Sequence, residues 1–142
     1  MWKKFICLCL IVCALLSSTT NIFASNAAAR RQEGAAKWSY IQLVATNLSI
    51  TSSGKATASA QISANPTKVD EVSIRATLQQ NVNGSWRDVT SWDVSKSSDG
   101  AILGKTYYVA SGYSYRVACT FKAYVGGRVV ETATLTSNTV KY

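Results

Sequence analysis

The sequence predicts an all-β protein, a seven-stranded antiparallel sandwich of two sheets, and three observations lead to this prediction. Between Tyr113 and Val125, apolar residues recur at every second position, which is the period of a strand with one buried face. Shorter runs of the same kind recur along the chain, separated by glycine, asparagine and serine. The chain has one proline and no amphipathic helical stretch. Short strands with regular turns and no helices are typical of a sandwich.

The N-terminus has the layout of a secretory signal peptide. Lys3 and Lys4 precede an apolar run at 5–16, and small and polar residues follow at 17–29. The apolar run has about a dozen residues, whereas a membrane span needs about 20. Export with cleavage is therefore preferred over a retained membrane anchor, and the protein is expected to be extracellular or associated with the cell wall.

Three regions follow from this layout. Residues 1–24 are predicted to be the signal peptide, with cleavage after Ala24 or, as an alternative, after position 27. Residues 25–37 are small, polar and charged without periodicity, which predicts a flexible leader. Residues 38–142 are predicted to form the sandwich domain.

Cysteine usage agrees with export. Cys7, Cys9 and Cys13 lie in the signal segment, so the mature chain keeps Cys119 alone and cannot form an intramolecular disulfide. Cys119 lies on the apolar face of its strand, which predicts a small buried side chain; a reactive or dimer-forming thiol is the alternative. The residues before Cys13 resemble a lipoprotein lipidation site, but Val12 stands where a small residue is expected.

The seven predicted strands cover residues 40–50, 55–63, 72–79, 86–94, 101–109, 113–125 and 128–136. In the first strand the apolar residues occupy odd positions up to Ala45 and even positions from Leu48, which predicts a β-bulge near Thr46 or Asn47. Alanines at 56, 58 and 60 give the second strand a face of small residues, opposite which a large side chain should pack.

The later strands are separated by clear turn signals. Pro66 has no amide hydrogen for a strand ladder and separates the second strand from the third. Gly84 marks the turn between the third and fourth strands, which we expect to form a hairpin. A polar loop at 96–100 precedes the fifth strand. Gly126 and Gly127 form a tight turn between the sixth and seventh strands, because glycine readily adopts positive φ.

The region around the sixth strand resembles fibronectin type III and immunoglobulin-like sandwiches. The residues that fit their Leu-x-Pro-Gly-x-x-Tyr and Tyr-x-Val-x-Val patterns are Val109, Ser111, Gly112, Tyr115, Val117 and Cys119. Ser111 replaces the usual proline, and the missing immunoglobulin disulfide favours the fibronectin-like variant. The resemblance implies that Tyr115 is a tyrosine corner, whose hydroxyl bonds to backbone a few residues upstream. It also implies that the third, fourth, sixth and seventh strands share a sheet.

The chain also resembles an uncharacterised family of small exported proteins of Gram-positive bacteria. This resemblance is carried by the signal peptide and by the segments GSWRDVTSW and YYVASGYSYRV. It implies a bacterial secreted protein and assigns no activity.

Residue composition argues against an enzyme. The chain has no histidine, which removes the most common general base and zinc ligand. Asp88 and Asp93 lie at an odd spacing in the sequence, so they are expected to face apart unless a bulge intervenes, which disfavours a two-carboxylate glycosidase. No phosphate-binding loop or metal-ligand spacing is present. We therefore predict a non-enzymatic protein without cofactor or metal.

Positive charge suggests an anionic partner. Without Lys3 and Lys4 the chain has 13 basic and 7 acidic residues, a net charge of about +6. Parity predicts a basic sheet face formed by Arg75, Arg87, Arg116, Lys122 and Arg128. Such a face could bind an anionic wall polymer or glycan, although solvated strand residues look the same. Export and the absence of nucleic-acid-binding motifs disfavour nucleic acid.

Aromatic residues suggest a second surface. Seven aromatic residues are too many to lie wholly in the core of so small a domain. Three are the tyrosines at 107, 108 and 124, and the other four are Trp38, Tyr40, Trp86 and Trp92. Exposed, they could stack on sugars; buried, they fill the core. The even spacing of Trp86 and Trp92 favours both pointing inward. A protein partner bound through an exposed edge strand, or a structural secreted protein with no small ligand, are further alternatives.

Overall fold

In the computed structural model, residues 30–33 and 38–142 are described, and every regular element in them is a β-strand. The strands are β1 (Arg30–Glu33), β2 (Ile41–Ile50), β3 (Lys55–Ala64), β4 (Glu71–Val82), β5 (Ser85–Lys96), β6 (Gly100–Tyr108), β7 (Ser114–Val125), β8 (Arg128–Thr136) and β9 (Val140–Lys141). The predicted signal peptide, 1–24, lies outside the described residues. In the described part of the chain, no helix has the length and apolar character needed to cross a membrane.

The strands form two antiparallel sheets that pack as a sandwich. One has the strand order β1-β2-β3-β6, and the other β5-β4-β7-β8 with β9 also paired to β7. The all-β sandwich is therefore as predicted. The strands β4, β5, β7 and β8 are the third, fourth, sixth and seventh of the predicted set, so their grouping in one sheet also agrees with the expectation.

One strand lies in the segment that the sequence predicts to be a flexible leader. The backbone of Arg30–Glu33 pairs antiparallel with β2, with Arg30 opposite Thr46 and Glu33 opposite Leu43. The segment lacks apolar periodicity, so the pairing is not visible in the residue pattern. It extends the first sheet beyond β2.

Alternating inward residues of the two sheets form the core. The largest fully buried side chains are Tyr115 and Phe121 on β7, which belong to one core cluster with Ile62 on β3 and with Ile74 and Leu78 on β4. Trp38 and Trp92 pack partly buried against this core. The alanines of β3 are buried, as their small size predicts.

The bulge in β2 lies at a different position from the predicted one. The register between β2 and β3 shifts between Ile41 and Leu43, and from there the pairing is regular. Thr46 points inward and is 1% exposed, because its hydroxyl donates to the carbonyl of Ser59 at 3.1 Å and accepts from the thiol of Cys119 at 3.3 Å. The prediction near Thr46 or Asn47 was wrong because a hydrogen-bonded threonine occupies an inward position that apolar patterning does not mark.

Strand β7 is central to its sheet, as predicted from its alternation. It pairs with β4 on one side and with β8 and β9 on the other. The hydroxyl of Tyr115 donates to the carbonyl of Ala110 at 2.7 Å, which is the hydrogen bond that a tyrosine corner makes. The outward residues of β7 and its neighbours form the solvent-facing side of this sheet.

Candidate binding face on the five-stranded sheet

The solvent-facing side of the β5-β4-β7-β8 sheet, here called the outer face, is built from cross-strand rows. One row runs Asp93, Arg75, Thr120 and Thr134; the next runs Ser95, Ser73, Lys122 and Thr132; a third contains Asp88, Gln79 and Arg116. Each row alternates with a row of buried residues on the inner side. The outer face is therefore rich in hydroxyl and charged side chains.

A bulge in β5 determines what faces outward. Leu78 pairs with Thr90 and Gln79 with Asp88, so Val89 is an extra residue that reverses the parity of the strand. As a result, Asp88 and Asp93 share the outer face. Without the bulge, Asp88 and Asp93 would face opposite sides of the sheet.

The same bulge separates two tryptophans that were expected to point inward together. Trp92 is opposite the buried Ala76 and packs against the core, whereas Trp86 is opposite Asn81 on the outer face. The expectation from their even spacing was wrong for Trp86, because Val89 lies between them as the extra residue.

Three of the five predicted basic residues lie on the outer face. Arg75, Arg116 and Lys122 occupy outward positions on β4 and β7. Arg87 does not: it is opposite Gln80, whose side-chain amide donates inward to the hydroxyl of Tyr115.

Arg128 is also excluded from the outer face, and again a bulge is the reason. The register between β7 and β8 shifts between Ala123 and Tyr124, with Val130 as the extra residue. Arg128 consequently pairs with Val125, which has the inward parity of Ala123. The predicted set of five is thus divided between the two sides of the sheet.

The outer face carries as many acids as bases. Glu71, Asp88 and Asp93 lie outward beside the three basic residues, so the formal charges cancel. Arg75 and Asp93 form an ion pair at 3.6 Å with both side chains more than 60% exposed. An exposed pair contributes about 0 to 1 kcal/mol, so a ligand can displace either partner at little cost.

Arg116 is held in one place by its neighbours. Its guanidinium lies over the ring of Trp86, 4.1 Å from the ring centroid. Its Nε donates to Gln79 Oε1 at 2.9 Å, and Gln79 Nε2 donates to Asp88 Oδ1 at 2.9 Å. The network occupies one face of the Trp86 ring and fixes the cation at this end of the outer face.

At the other end of the outer face is a shallow depression of about 540 Å³. It is lined by Ser73, Arg75, Asp93, Val94, Ser95, Thr120, Lys122 and Tyr124. The hydroxyls of Ser73 and Tyr124 are hydrogen-bonded at 3.1 Å. The charged groups of this lining are the cations of Arg75 and Lys122 and the carboxylate of Asp93, so one positive charge is left over. Together with several hydroxyl groups, they can bind a ligand that carries both hydroxyl and anionic groups.

The predicted aromatic surface is not a single surface. Trp38, Tyr40 and Trp92 are partly buried against the core, and Trp86 alone of the four lies on the outer face. Tyr108 is 70% exposed, more than Tyr107 or Tyr113, and it lies on the other sheet. Core packing therefore accounts for three of the four predicted residues.

Glu131 lies off the outer face and has a structural role that sequence reasoning did not identify. Its carboxylate accepts hydrogen bonds from the backbone N–H of Ser39 at 2.8 Å, Tyr40 at 2.9 Å and Ile41. Partial burial acts to raise the pKa of Glu131, but the three N–H donors outweigh it and hold the pKa below its usual value. The only sequence signal is a carboxylate at an inward strand position.

Comparison with known proteins gives no assignment: no family model, no curated protein and no solved structure matches this chain. Among the described residues, no three histidine, cysteine, aspartate or glutamate side chains lie close enough together to hold a metal ion.

Proposed function

We propose that the chain is an exported, non-enzymatic binding domain of the bacterial cell surface, and that its outer face holds an anionic, hydroxyl-rich polymer of the cell envelope. The observation that carries this proposal is the depression in which Arg75 and Lys122 stand beside the hydroxyls of Ser73, Thr120 and Tyr124. The signal peptide, the net positive charge and the resemblance to exported Gram-positive proteins support the setting. The anionic polymer rather than an anionic small molecule is favoured because the depression is open and shallow.

The expected mode is weak contact repeated along a chain. Exposed cations interact with anions through high dielectric, so each contact contributes a small free energy. A polymer with phosphate or carboxylate at each repeat offers many such contacts and raises the effective concentration after the first is made. Binding should weaken with salt, since the Debye length falls from about 10 Å at 0.1 M to about 3 Å at 1 M.

The test is binding of the exported chain to purified polyol-phosphate wall polymer and to a neutral glucan, measured by co-sedimentation at low and high salt. The variant R75E/K122E reverses the two cations of the depression and should lower the affinity for the anionic polymer at least about tenfold. The matched control is R87E/R128E, which makes the same change in net charge at two positions off the outer face.

Two results would contradict the proposal. Equal losses in the two double variants would mean that net charge, and not the outer face, drives binding. Salt-independent binding of the neutral glucan, with no preference for the polyol phosphate, would mean that the ligand is a neutral sugar held without Arg75 and Lys122.

A further inference from the structure

Strand β6 is the last strand of the β1-β2-β3-β6 sheet, and one of its edges is open. It pairs with β3 on one side, and in the described ranges 30–33 and 38–142 no strand pairs with its other side. Just beyond its two ends, Val109 N–H donates to the Gly54 carbonyl at 2.9 Å and Ala64 N–H donates to the Asp99 carbonyl at 2.7 Å. Both pairs share the register of the β3–β6 ladder, so the odd-numbered residues of β6 are bonded to β3.

The even-numbered residues therefore direct their backbone N–H and C=O groups away from β3, within the plane of the sheet. Ile102, Gly104, Thr106 and Tyr108 direct both N–H and C=O toward the open edge. All four residues are exposed. Such a row is a template for pairing with another strand.

Gly104 in the middle of this edge is not required by the fold. Its φ is not positive, the register of β3 with β6 is unbroken across it, and an added Cβ would meet no atom within 4 Å. Glycine weakens a strand relative to alanine, and in a strand interior it often marks a close approach of another backbone or a ligand. Neither a turn nor a bulge accounts for Gly104, and the open space beside it would let another backbone approach closely.

The two sides of the edge differ in chemistry. On the solvent side of the sheet, Ile102 is 72% exposed and Tyr108 is 70% exposed. On the opposite side is Lys105, the one charged residue of β6.

The neighbouring edge strand adds to the positive charge on the side of Lys105. Arg87 and Lys96 occupy inward-parity positions of β5, whereas Asp88 and Asp93 face away on the outer face. Asp99 in the connecting loop is the nearest acid in the sequence. On the solvent side an incoming strand thus meets Ile102 and Tyr108, and on the other side it meets Lys105 between the apolar Leu103 and the aromatic Tyr107.

We propose that the open edge of β6 accepts an extended acidic segment of a partner protein as an added strand. Backbone groups of Ile102, Gly104, Thr106 and Tyr108 make the ladder. The partner alternates apolar or aromatic residues on the solvent side with carboxylates on the side of Lys105. A second copy of this chain fits less well, because two paired β6 strands would bring their Lys105 side chains near each other.

A depression next to Gly104 can receive one side chain of the partner. It has a volume of about 170 Å³ and its lining includes Asn47, Ser59 and Ile102. Asn47 and Ser59 lie in the same cross-strand row as Gly104, and Asn47 Oδ1 is buried without a hydrogen-bond partner. An aromatic side chain opposite Gly104 can lean over the glycine toward this depression. A tyrosine or tryptophan there would also bring a hydrogen-bond donor.

The test uses a ten-residue peptide that alternates tyrosine and isoleucine with glutamate, and a matched peptide with lysine in place of glutamate. The exported chain should bind the glutamate peptide, and hydrogen exchange should slow at the amides of Ile102, Gly104, Thr106 and Tyr108. The variant K105E should lower the affinity at least about fivefold. K122E is the matched control because it makes the same charge change on the outer face. It should leave peptide binding unchanged, so a failure of the peptide proposal can be told apart from a failure of the polymer proposal.

The backbone pairing is tested by T106P, which removes an amide that does not bond to β3. It should retain the far-ultraviolet circular dichroism of the wild type and lower peptide affinity at least about fivefold. If T106P does not fold, G104V serves instead, since it fills the open space without a backbone penalty and should also weaken binding. Equal binding of the two peptides, or no protection of the four amides, would overturn the proposal. A wild-type dimer that T106P dissociates would identify a second copy as the occupant and overturn it too.

Discussion

The hydroxyl of Tyr115 donates a hydrogen bond to the carbonyl of Ala110 at 2.7 Å and accepts one from the Gln80 side-chain amide at 2.9 Å. The ring is 1% exposed, so both bonds are shielded from water. The hydrogen bond to Ala110 joins the connection that follows β6 to the start of β7, and the one from Gln80 joins β7 to β4. Ser111 in place of the usual proline does not prevent this arrangement, because the hydrogen bond uses a backbone carbonyl and not a proline ring.

Replacing Tyr115 by phenylalanine should therefore lower the free energy of unfolding by about 1 to 3 kcal/mol. The ring would still fill the core, but the Gln80 amide and the Ala110 carbonyl would each lose a partner. Urea denaturation measures the change. The control is Y108F at an exposed tyrosine, which should change the free energy of unfolding by less than about 0.5 kcal/mol. Equal stability of Y115F and the wild type would show that the corner hydrogen bond contributes nothing.

Cys119 should be inert in the folded protein. Burial raises the pKa of its thiol to about 11, and the hydrogen bond with Thr46 offsets this only in part. At pH 8 about one thiol in a thousand would be ionised, and Cys119 as a residue is only 3% exposed. A thiol reagent should therefore label Cys119 only after unfolding, which a labelling time course with and without denaturant measures. Rapid labelling of the native protein at pH 8 would contradict this prediction.

The seven predicted strands followed from alternation and turn residues, which are local signals, and their grouping into sheets followed from the fibronectin-like resemblance. Strand β1 did not follow, because its residues lack apolar periodicity. Which side of the sheet a residue faces did not follow for Trp86, Arg87 and Arg128. Each lies beyond a bulge whose extra residue, Val89 or Val130, is an ordinary strand residue. A bulge reverses parity for the rest of the strand without changing its composition. The candidate binding face depends on parity, so it was predicted less well than the fold.

Glu131 should make stability depend on acid pH. Its folded pKa lies below the usual value of 4.5, so the unfolded chain takes up a proton first as pH falls. The stability that Glu131 contributes is therefore present above about pH 4.5 and is lost as pH falls through the folded pKa. E131Q should show a smaller drop in Tm between pH 7 and pH 3 than the wild type.

The control for this prediction is E71Q. Glu71 accepts a hydrogen bond from the Ser95 hydroxyl and none from the three backbone amides that Glu131 binds, so E71Q shows how Tm responds to the loss of an unrelated carboxylate. Identical drops in Tm for E131Q and the wild type would mean that the backbone hydrogen bonds of Glu131 do not stabilise its ionised form.

Arg116 and Trp86 should be energetically coupled. The guanidinium lies 4.1 Å from the ring centroid on an exposed sheet face, where a cation–π contact contributes about 0.5 to 1 kcal/mol. A double-mutant cycle of R116A and W86L, followed by urea denaturation, should give a coupling energy in this range. The matched cycle uses R87A with W86L: Arg87 adjoins Trp86 in sequence but faces the other side of the sheet, so its coupling should be near zero. A coupling near zero for Arg116 and Trp86 would contradict the prediction, because it would mean that Trp86 points inward, as it would if β5 lacked the bulge at Val89.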